Sequence, residues 1–175
     1  MPHKDDSIRP PDSDRLSFHE WKDNDVEPFH AICSDSRVMQ HIGDGQVWRR
    51  ERTRQFIQSA IETLRDHGYC QWALIHKADD KLIGYCGFKK TKSEPEIGWR
   101  LAPDYWGQGL ATEAARAALE HGLMTLRFRR VIATAQTANV ASARVIEKLG
   151  MTLERRFDRD GRKVMIYART LDDRQ

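Results

Sequence analysis

The chain has 175 residues, of which 39% are hydrophobic and 31% charged, and its formal net charge is +3. This size and composition predict one soluble domain that can bury a substantial core. The small net charge argues against a nucleic-acid-binding domain, which would gather many cations on one surface. No apolar run approaches the ~20 residues of a membrane span, and the first residues lack an apolar signal core. We therefore expect a cytoplasmic protein without a membrane partner.

The cysteines predict neither a metal site nor a disulfide. There are 3 of them, Cys33, Cys70 and Cys86, and their spacing matches no zinc-binding pattern. We expect reduced, partly buried thiols and no bound metal. Because no histidine is placed beside Cys86 by the sequence, a packed strand thiol is favoured there over a covalent nucleophile.

The first half of the chain predicts a tail, a strand, a helical region and a hairpin. Residues 1–14 are polar and include a Pro-Pro pair, so we expect a polar N-terminal tail followed by a single domain at 15–175. Asp23 or Asn24 can cap a short helix that ends near Ile32. The other predicted elements are a strand at 15–18, helical segments at 38–42 and 50–66, and strands at 71–76 and 82–88.

The second half alternates strands and helices before closing with a hairpin. The predicted elements are strands at 96–101 and 130–136, helices from about 110 to 126 and from 141 to 149, and strands at 151–158 and 163–169. Asp160-Gly161 is a strong hairpin turn. The strand–helix–strand crossover in the middle predicts a parallel pair, with antiparallel hairpins on both sides of it.

A glycine-rich turn joins the strand at 96–101 to the helix that follows. The stretch reads Tyr105-Trp106-Gly107-Gln108-Gly109-Leu110-Ala111-Thr112-Glu113-Ala114. A helix N-terminus has unpaired N–H groups and partial positive charge, and glycine lets an anion approach the backbone closely. The pattern predicts a pyrophosphate site at 106–112, although a plain tight turn fits it equally well. It lacks the Gly-Lys-Ser/Thr of a P-loop and the spacing of a dinucleotide fingerprint.

A second motif follows the strand at 130–136. It reads Asn139-Val140-Ala141-Ser142-Ala143-Arg144-Val145-Ile146-Glu147-Lys148-Leu149-Gly150-Met151. Together the two stretches resemble the GCN5-related N-acetyltransferase (GNAT) superfamily, and within it the branch that acetylates ribosomal-protein N-termini. The resemblance implies an α/β (α+β) fold, in which a mixed, centrally splayed β-sheet of about seven strands is flanked by about four helices. It also implies acetyl-CoA as the co-substrate.

The resemblance assigns the cofactor site to the glycine-rich turn and its surroundings. In the family, the strands matching 96–101 and 130–136 splay apart, and the pantetheine arm enters the gap and bonds to the first strand, here at Leu101. Asn139 is expected to contact pantetheine, whereas its local pattern alone favours a turn or helix cap. Trp106 stands where the family usually has Gln or Arg, so the role of its side chain is open. The expected cofactor-binding residues are Leu101, Trp106, Gly107, Gln108, Gly109, Leu110, Ala111, Thr112 and Asn139.

Two polar side chains are candidates for catalysis. Glu96 opens the strand beside the gap, where a carboxylate can take a proton from an amine; an exposed strand-end charge is an equal alternative. Ser142 can assist the departing thiolate, or it is an ordinary serine near a helix N-terminus. Many relatives use a tyrosine one turn further along this helix, and the position here is Ile146. Glu113, in the first turn of the preceding helix, is expected to stabilise rather than catalyse.

These observations predict an acetyl-CoA-dependent N-acetyltransferase that acts on a primary amine by direct attack in a ternary complex. The acceptor is expected to be a protein N-terminal α-amine or a small amine, bound by residues near 25–50 and by the hairpin at 158–163. An acyl-CoA-binding module without efficient turnover is the alternative, suggested by the missing tyrosine. Arg127, Arg129 and Arg130 fit a solvated helix end better than a nucleic-acid patch, and contact with the 3′-phosphate of coenzyme A is left open. The choice between monomer and homodimer is open too.

Overall fold

The computed structural model describes residues 9–171 and shows one seven-stranded sheet with five α-helices. The strands are β1 Leu16–His19, β2 Gln71–His76, β3 Lys81–Lys89, β4 Glu96–Leu101, β5 Arg130–Gln136, β6 Thr152–Arg159 and β7 Arg162–Thr170. The helices are α1 Val26–Cys33, α2 Ser36–Met39, α3 Arg50–His67, α4 Leu110–Glu120 and α5 Val140–Lys148. None of the helices in this range is long and apolar enough to cross a membrane.

The strand order is β1-β2-β3-β4-β5-β7-β6. The predicted parallel pair is confirmed, since β4 and β5 run parallel and the other neighbours are antiparallel. The hairpin turn between β6 and β7 is confirmed as well. Asp160 and Gly161 there have φ of 51° and 76°, the left-handed pair that a two-residue hairpin turn needs.

Helices cover both faces of the sheet. On one face, α1 and α3 pack through aromatic rings, with centroids 5.3 Å apart for Phe29 and Phe56 and 5.1 Å apart for Phe56 and Tyr85. On the other face, α4 crosses β3 and β4 with alanines that are fully buried, Ala114, Ala115 and Ala118. Alanine lets the helix approach the sheet closely, and α5 lies beside α4 against β5.

The helical region before α3 differs in detail from its prediction. The first helix begins with a 3₁₀ turn at Asp23–Asp25, and α1 proper covers Val26–Cys33. The second segment starts earlier than predicted because the Asp35 side chain accepts a hydrogen bond from the Arg37 N–H and thereby caps α2. Residues 9–171 therefore contain five α-helices, where about four were expected.

Two further predictions concern the tail and the cysteines. The tail boundary at residue 14 stays a prediction: residues 1–8 lie outside the described residues, and Ser13 hydrogen-bonds to Glu113 in the domain. Cys33, Cys70 and Cys86 are free thiols, as expected, but they are fully rather than partly buried.

Candidate active site

A gap opens in the middle of the sheet between β4 and β5. In the described chain these strands have one registered pair, Glu96 with Ile132, and the Ile132 N–H donates to the Pro95 carbonyl at 3.0 Å. Beyond this point they separate. The Ala102 N–H donates to the Ile83 carbonyl on β3 at 2.8 Å, which fixes the alternation along β4. The backbone groups of odd-numbered residues, Leu101 included, therefore face β5 and the gap.

Trp106 links the end of β4 to the glycine-rich turn. Its indole Nε1 donates to the Leu101 carbonyl at 2.8 Å, so Leu101 keeps its N–H for the gap. The preceding Tyr105 donates its hydroxyl to Asp79 Oδ2 at 2.7 Å. Neither side-chain contact could be inferred from the local pattern. Together they fix the direction in which the chain leaves the strand.

The turn and the start of α4 present a row of backbone donors, which we call the cradle (residues 107–112). None of its N–H groups is paired with an acceptor in the described part of the chain, and the first helical bond runs from the Glu113 N–H to the Gly109 carbonyl. Gly107 and Gly109 have φ of 70° and 77°, a left-handed conformation that side chains other than glycine adopt at a cost. Unpaired donors at the positive end of a helix form an anion site that fits a pyrophosphate.

Glu113 connects the cradle to the segment that precedes β1. Its carboxylate accepts hydrogen bonds from Ser13 Oγ at 2.7 Å, from the Arg15 N–H at 2.9 Å and from Arg15 Nε at 2.7 Å. Arg15 Nη1 in turn donates to the Gln108 carbonyl at 2.9 Å. Burial opposes ionisation, but the hydrogen bonds from Ser13 and Arg15 hold the pKa of Glu113 below its ordinary value. These contacts agree with the stabilising role expected of Glu113.

A cavity of about 520 Å³ adjoins the cradle between α4 and the end of α5. Gly109 and Thr112 line it on one side, and the cationic side chains of Arg116 and Lys148 lie on another. The sequence motifs did not single out these two cations, because they lie in different helices. They place two positive charges near the donors of the cradle, in a cavity that Asp14, Glu113 and Glu120 also line.

Asn139 and Ser142 lie at the start of α5, across the gap from β4. The Asn139 side-chain oxygen accepts the Ser142 N–H at 3.1 Å and caps the helix. The helix-cap interpretation is therefore correct for the oxygen, and the amide nitrogen is left for other contacts. Ser142 is half-buried, while Ile146, one turn later, is buried in the core and offers no acid.

Glu96 lies at the narrow end of the gap, where the strands still pair. Its side chain is half-buried, and its Oε1 accepts a hydrogen bond from Thr134 Oγ1 on β5 at 2.5 Å. Thr134 was missed by sequence reasoning. The alternation along β5 could have found it, because residues 132, 134 and 136 share a face and Ile132 pairs with Glu96.

The loop before α3 lies along one side of the sheet face on which Glu96 and Thr134 meet. Arg162 Nη2 donates to the Asp44 carbonyl at 2.6 Å, and Gln136 Nε2 donates to the Gly43 carbonyl at 3.0 Å. The loop before α3 is thus fastened to β5 and β7 at the wide end of the gap. We call these bonds the loop clamp. They join the two regions, 25–50 and 158–163, that were predicted to bind the acceptor.

The arginines at 127–130 lie at the opposite end of α4 from the cradle. The helix and its π-helical extension at His121–Thr125 separate them by about 22 Å, at 1.5 Å per residue. Arg130 donates to Glu94 at 2.9 Å and to Glu154 at 2.7 Å, and its pKa is raised by the hydrogen bonds to Glu154 and Glu94. The geometry supports a structural role for Arg130 rather than contact with the cradle's ligand.

Cys86 fits no nucleophilic role. It is fully buried, and burial raises the pKa of its thiol well above the ordinary value, so the reactive thiolate is disfavoured. Within residues 9–171, no group of three or more His, Cys, Asp and Glu side chains could hold a metal ion.

A cradle of backbone donors beside a split parallel pair is the arrangement predicted from the two sequence motifs, and comparison with known proteins gives the same answer. Residues 15–152 match the model of the acetyltransferase (GNAT) domain. The chain belongs to the GNAT family. It is thus an N-acetyltransferase, and the resemblance inferred from sequence is confirmed.

Two relatives and one solved structure illustrate the match. The chain is 35% identical over 142 residues to the uncharacterized N-acetyltransferase YnaD of Bacillus subtilis, covering 80% of this chain and 81% of that protein. It is 28% identical over 172 residues to the ribosomal-protein-serine acetyltransferase of Escherichia coli, covering 91% and 95%. A GNAT acetyltransferase structure from Bacillus anthracis superposes with a TM-score of 0.81 at 31% identity, covering 93% of this chain and 98% of the other.

Proposed function

We propose that this GNAT acetyltransferase moves the acetyl group of acetyl-CoA to a primary amine by direct attack in a ternary complex. The observation that carries the proposal is the row of unpaired N–H groups at 107–112, placed beside a gap between β4 and β5. The cradle suits the pyrophosphate, and the gap suits the extended pantetheine arm. Arg116 and Lys148 add positive charge beside the cradle.

Backbone groups along the gap would hold the pantetheine arm. The Leu101 N–H faces the gap and is free to donate, while one lone pair of its carbonyl already accepts the Trp106 indole N–H. Asn139 can donate from its amide nitrogen, because its oxygen caps α5. Acceptor groups of pantetheine, its amide carbonyls, match both donors.

In the reaction, the amine lone pair attacks the thioester carbonyl carbon, the carbon–sulfur bond breaks, and the sulfur leaves as a thiolate. Glu96 is proposed to accept the proton that the amine loses, and the Thr134 hydroxyl holds its carboxylate towards the gap. Ser142 is proposed to hydrogen-bond to the departing sulfur. The buried Cys33, Cys70 and Cys86 offer no nucleophile for an acetyl-enzyme, which supports direct attack.

The acceptor is proposed to be an α-amine rather than a lysine side chain. An ammonium must lose a proton before it attacks. At pH 7 this costs roughly 1 kcal/mol for an α-amine and roughly 4.6 kcal/mol for an unperturbed lysine. The similarity to a ribosomal-protein-serine acetyltransferase supports the same choice.

The test is release of coenzyme A thiol from acetyl-CoA with and without amines. N-terminal peptides, lysine peptides and a polyamine would form the panel, and calorimetry would measure acetyl-CoA binding separately. We expect thiol release that depends on the amine, with equal amounts of acetylated product. Tight acetyl-CoA binding with no transfer to any amine would instead support the acyl-CoA-binding module.

A further inference from the structure

Arg100 is a buried cation without a carboxylate partner. It is 4% exposed, and its Nη1 donates to the Cys33 sulfur at 3.1 Å. Its Nε has no hydrogen-bond partner among the described residues. No ion pair between residues 9 and 171 includes this arginine. Buried charges in proteins are normally paired, so the arrangement calls for an explanation.

Neutral groups surround the guanidinium. It lies 4.2 Å from the ring centroid of Trp48, 5.4 Å from that of Tyr85 and 5.8 Å from that of Phe29. The Cys33 thiol stays protonated because burial raises its pKa, even though Arg100 acts in the opposite sense. The rings stabilise the cation partly, but no formal negative charge balances it.

Arg100 lies on the same face of β4 as Glu96, the proposed base. Arg100, Gly98 and Glu96 alternate on one face of β4, the face on which Glu96 bonds to Thr134. Glu96 is four residues away, or about 13 Å between Cα atoms, and its carboxylate forms no ion pair with Arg100. The proposed base and the unpaired cation thus stand at the two ends of a short row.

Gly98 leaves space between them. Its φ is not in the left-handed region, so the backbone does not require glycine. A Cβ at this position would lie 3.7 Å from Gln71 Nε2 and 3.9 Å from the Tyr85 hydroxyl, at ordinary contact distance. Two polar groups therefore lie next to this position, between the proposed base and the cation.

We propose that the acceptor carries a carboxylate close to its reactive amine and that this carboxylate pairs with Arg100. The inference rests on the proposed function and names the substrate class for the same site. The amine lies towards Glu96 and the carboxylate towards Arg100. A free amino acid and a peptide N-terminus with an acidic side chain share this chemistry. A polyamine does not, since it would bring more positive charge to a cation that already lacks a partner.

The experiment compares acceptors that are matched except for one carboxylate, with kcat/KM expressed per deprotonated amine because a neighbouring carboxylate also raises the pKa of the amine. One pair is a tetrapeptide amide with Asp or Asn at its second position, and the other is serine or serinamide; spermidine is the cationic probe. The enzyme forms are wild type, Arg100→Met, Arg100→Lys and the control Arg52→Met. Arg52 lies 4.9 Å from the same Trp48 ring but is exposed on α3.

For the wild type and for Arg52→Met, we expect kcat/KM to be at least about tenfold higher for the acidic member of one pair, mostly through KM. The pair that shows the preference tells which source of the carboxylate the site accepts. Arg100→Met should reduce the ratio to near one, and Arg100→Lys should keep part of it. If Arg100→Met fails to fold, the acidic-to-neutral ratio of kcat/KM in the wild type and in Arg100→Lys still tests the proposal.

The proposal is overturned if the wild type acetylates both members of each pair equally, or prefers spermidine. It is also overturned if Arg100→Met lowers the melting temperature but leaves the ratio unchanged, because Arg100 would then serve only packing. In these cases amine acetylation itself is observed, so the proposed acetyl transfer to a primary amine stands. Failure to acetylate any amine would contradict the proposed function instead.

Discussion

One side of the gap is formed mainly by backbone groups and the other mainly by side chains and loops. The proposed cofactor side is mainly backbone from one continuous stretch, the cradle at 107–112, held by Glu113 through Arg15. The acceptor side is made of side chains and loops that are distant in sequence, such as Asp44 and Arg162. A backbone site tolerates many side chains but not a change of conformation. A side-chain site changes with each residue, so acceptor choice can vary on a constant cofactor site.

The largest expected effect comes from an intrusion into the cradle. Gly109→Glu places a carboxylate where the phosphates are proposed to bind and strains a residue with φ of 77°. We expect acetyl-CoA binding to be lost, as measured by calorimetry. Gly68→Glu is the matched control, because Gly68 has φ of 75° at the end of α3, away from the cradle. Unchanged affinity in a folded Gly109→Glu protein would show that the phosphates bind elsewhere.

The second-largest effect is expected for Glu96, at the narrow end of the gap. Glu96→Gln should lower kcat by about a hundredfold, within the range for a positioned base, while acetyl-CoA still binds. The loss of kcat should become smaller as pH rises, because a larger fraction of the amine acceptor is then already deprotonated. Glu94→Gln, two residues away and paired with Arg130, is the control. Full kcat in Glu96→Gln across pH values from about 6 to 9 would leave Glu96 as a strand-end charge.

The contrast between backbone and side chains also explains what the sequence could predict. The strands, the parallel crossover and the cradle follow from short-range patterns, namely alternation, helical spacing and glycines before a helix. The bonds from Thr134 to Glu96, from Trp106 to Leu101 and from Arg162 to Asp44 depend on how distant elements meet. The early start of α2 depends on one aspartate cap, a local signal that the hydrophobic pattern concealed.

A smaller effect is expected for Ser142, the group proposed to assist the leaving sulfur. Ser142→Ala should lower kcat about tenfold, below the usual range for an acid, because a thiol of pKa about 8.5 is already a good leaving group. Steady-state kinetics with saturating acetyl-CoA would measure it. A change in acetyl-CoA affinity with unchanged kcat would instead assign Ser142 to binding, through the N-terminus of α5.

The loop clamp tests the acceptor side alone. Arg162→Gln removes the bond to the Asp44 carbonyl and should raise KM for the acceptor about fivefold, roughly 1 kcal/mol, with acetyl-CoA affinity unchanged. The exposed Arg159 on the same hairpin gives the control variant Arg159→Gln. If both variants behave alike, the loop before α3 does not bind the acceptor.

The smallest effect concerns the support of the cradle. Because the pKa of Glu113 is lowered in the folded state, its contribution to stability is present above its ordinary pKa and is lost as pH falls through the folded value. Glu113→Gln should therefore lower the melting temperature at about pH 6 and flatten its decline towards about pH 3. If the melting temperatures of the wild type and of Glu113→Gln decline equally as pH falls, the Glu113 carboxylate does not stabilise the fold.

The most direct measurement uses one peptide that carries both a free α-amine and a lysine. The enzyme is incubated with this peptide and acetyl-CoA, thiol release is followed, and fragment masses locate the acetyl group. We predict one acetylated α-amine for each thiol released, with the lysine modified later or not at all. Thiol release without acetylated peptide, or acetylation of the lysine first, would contradict direct transfer to an α-amine.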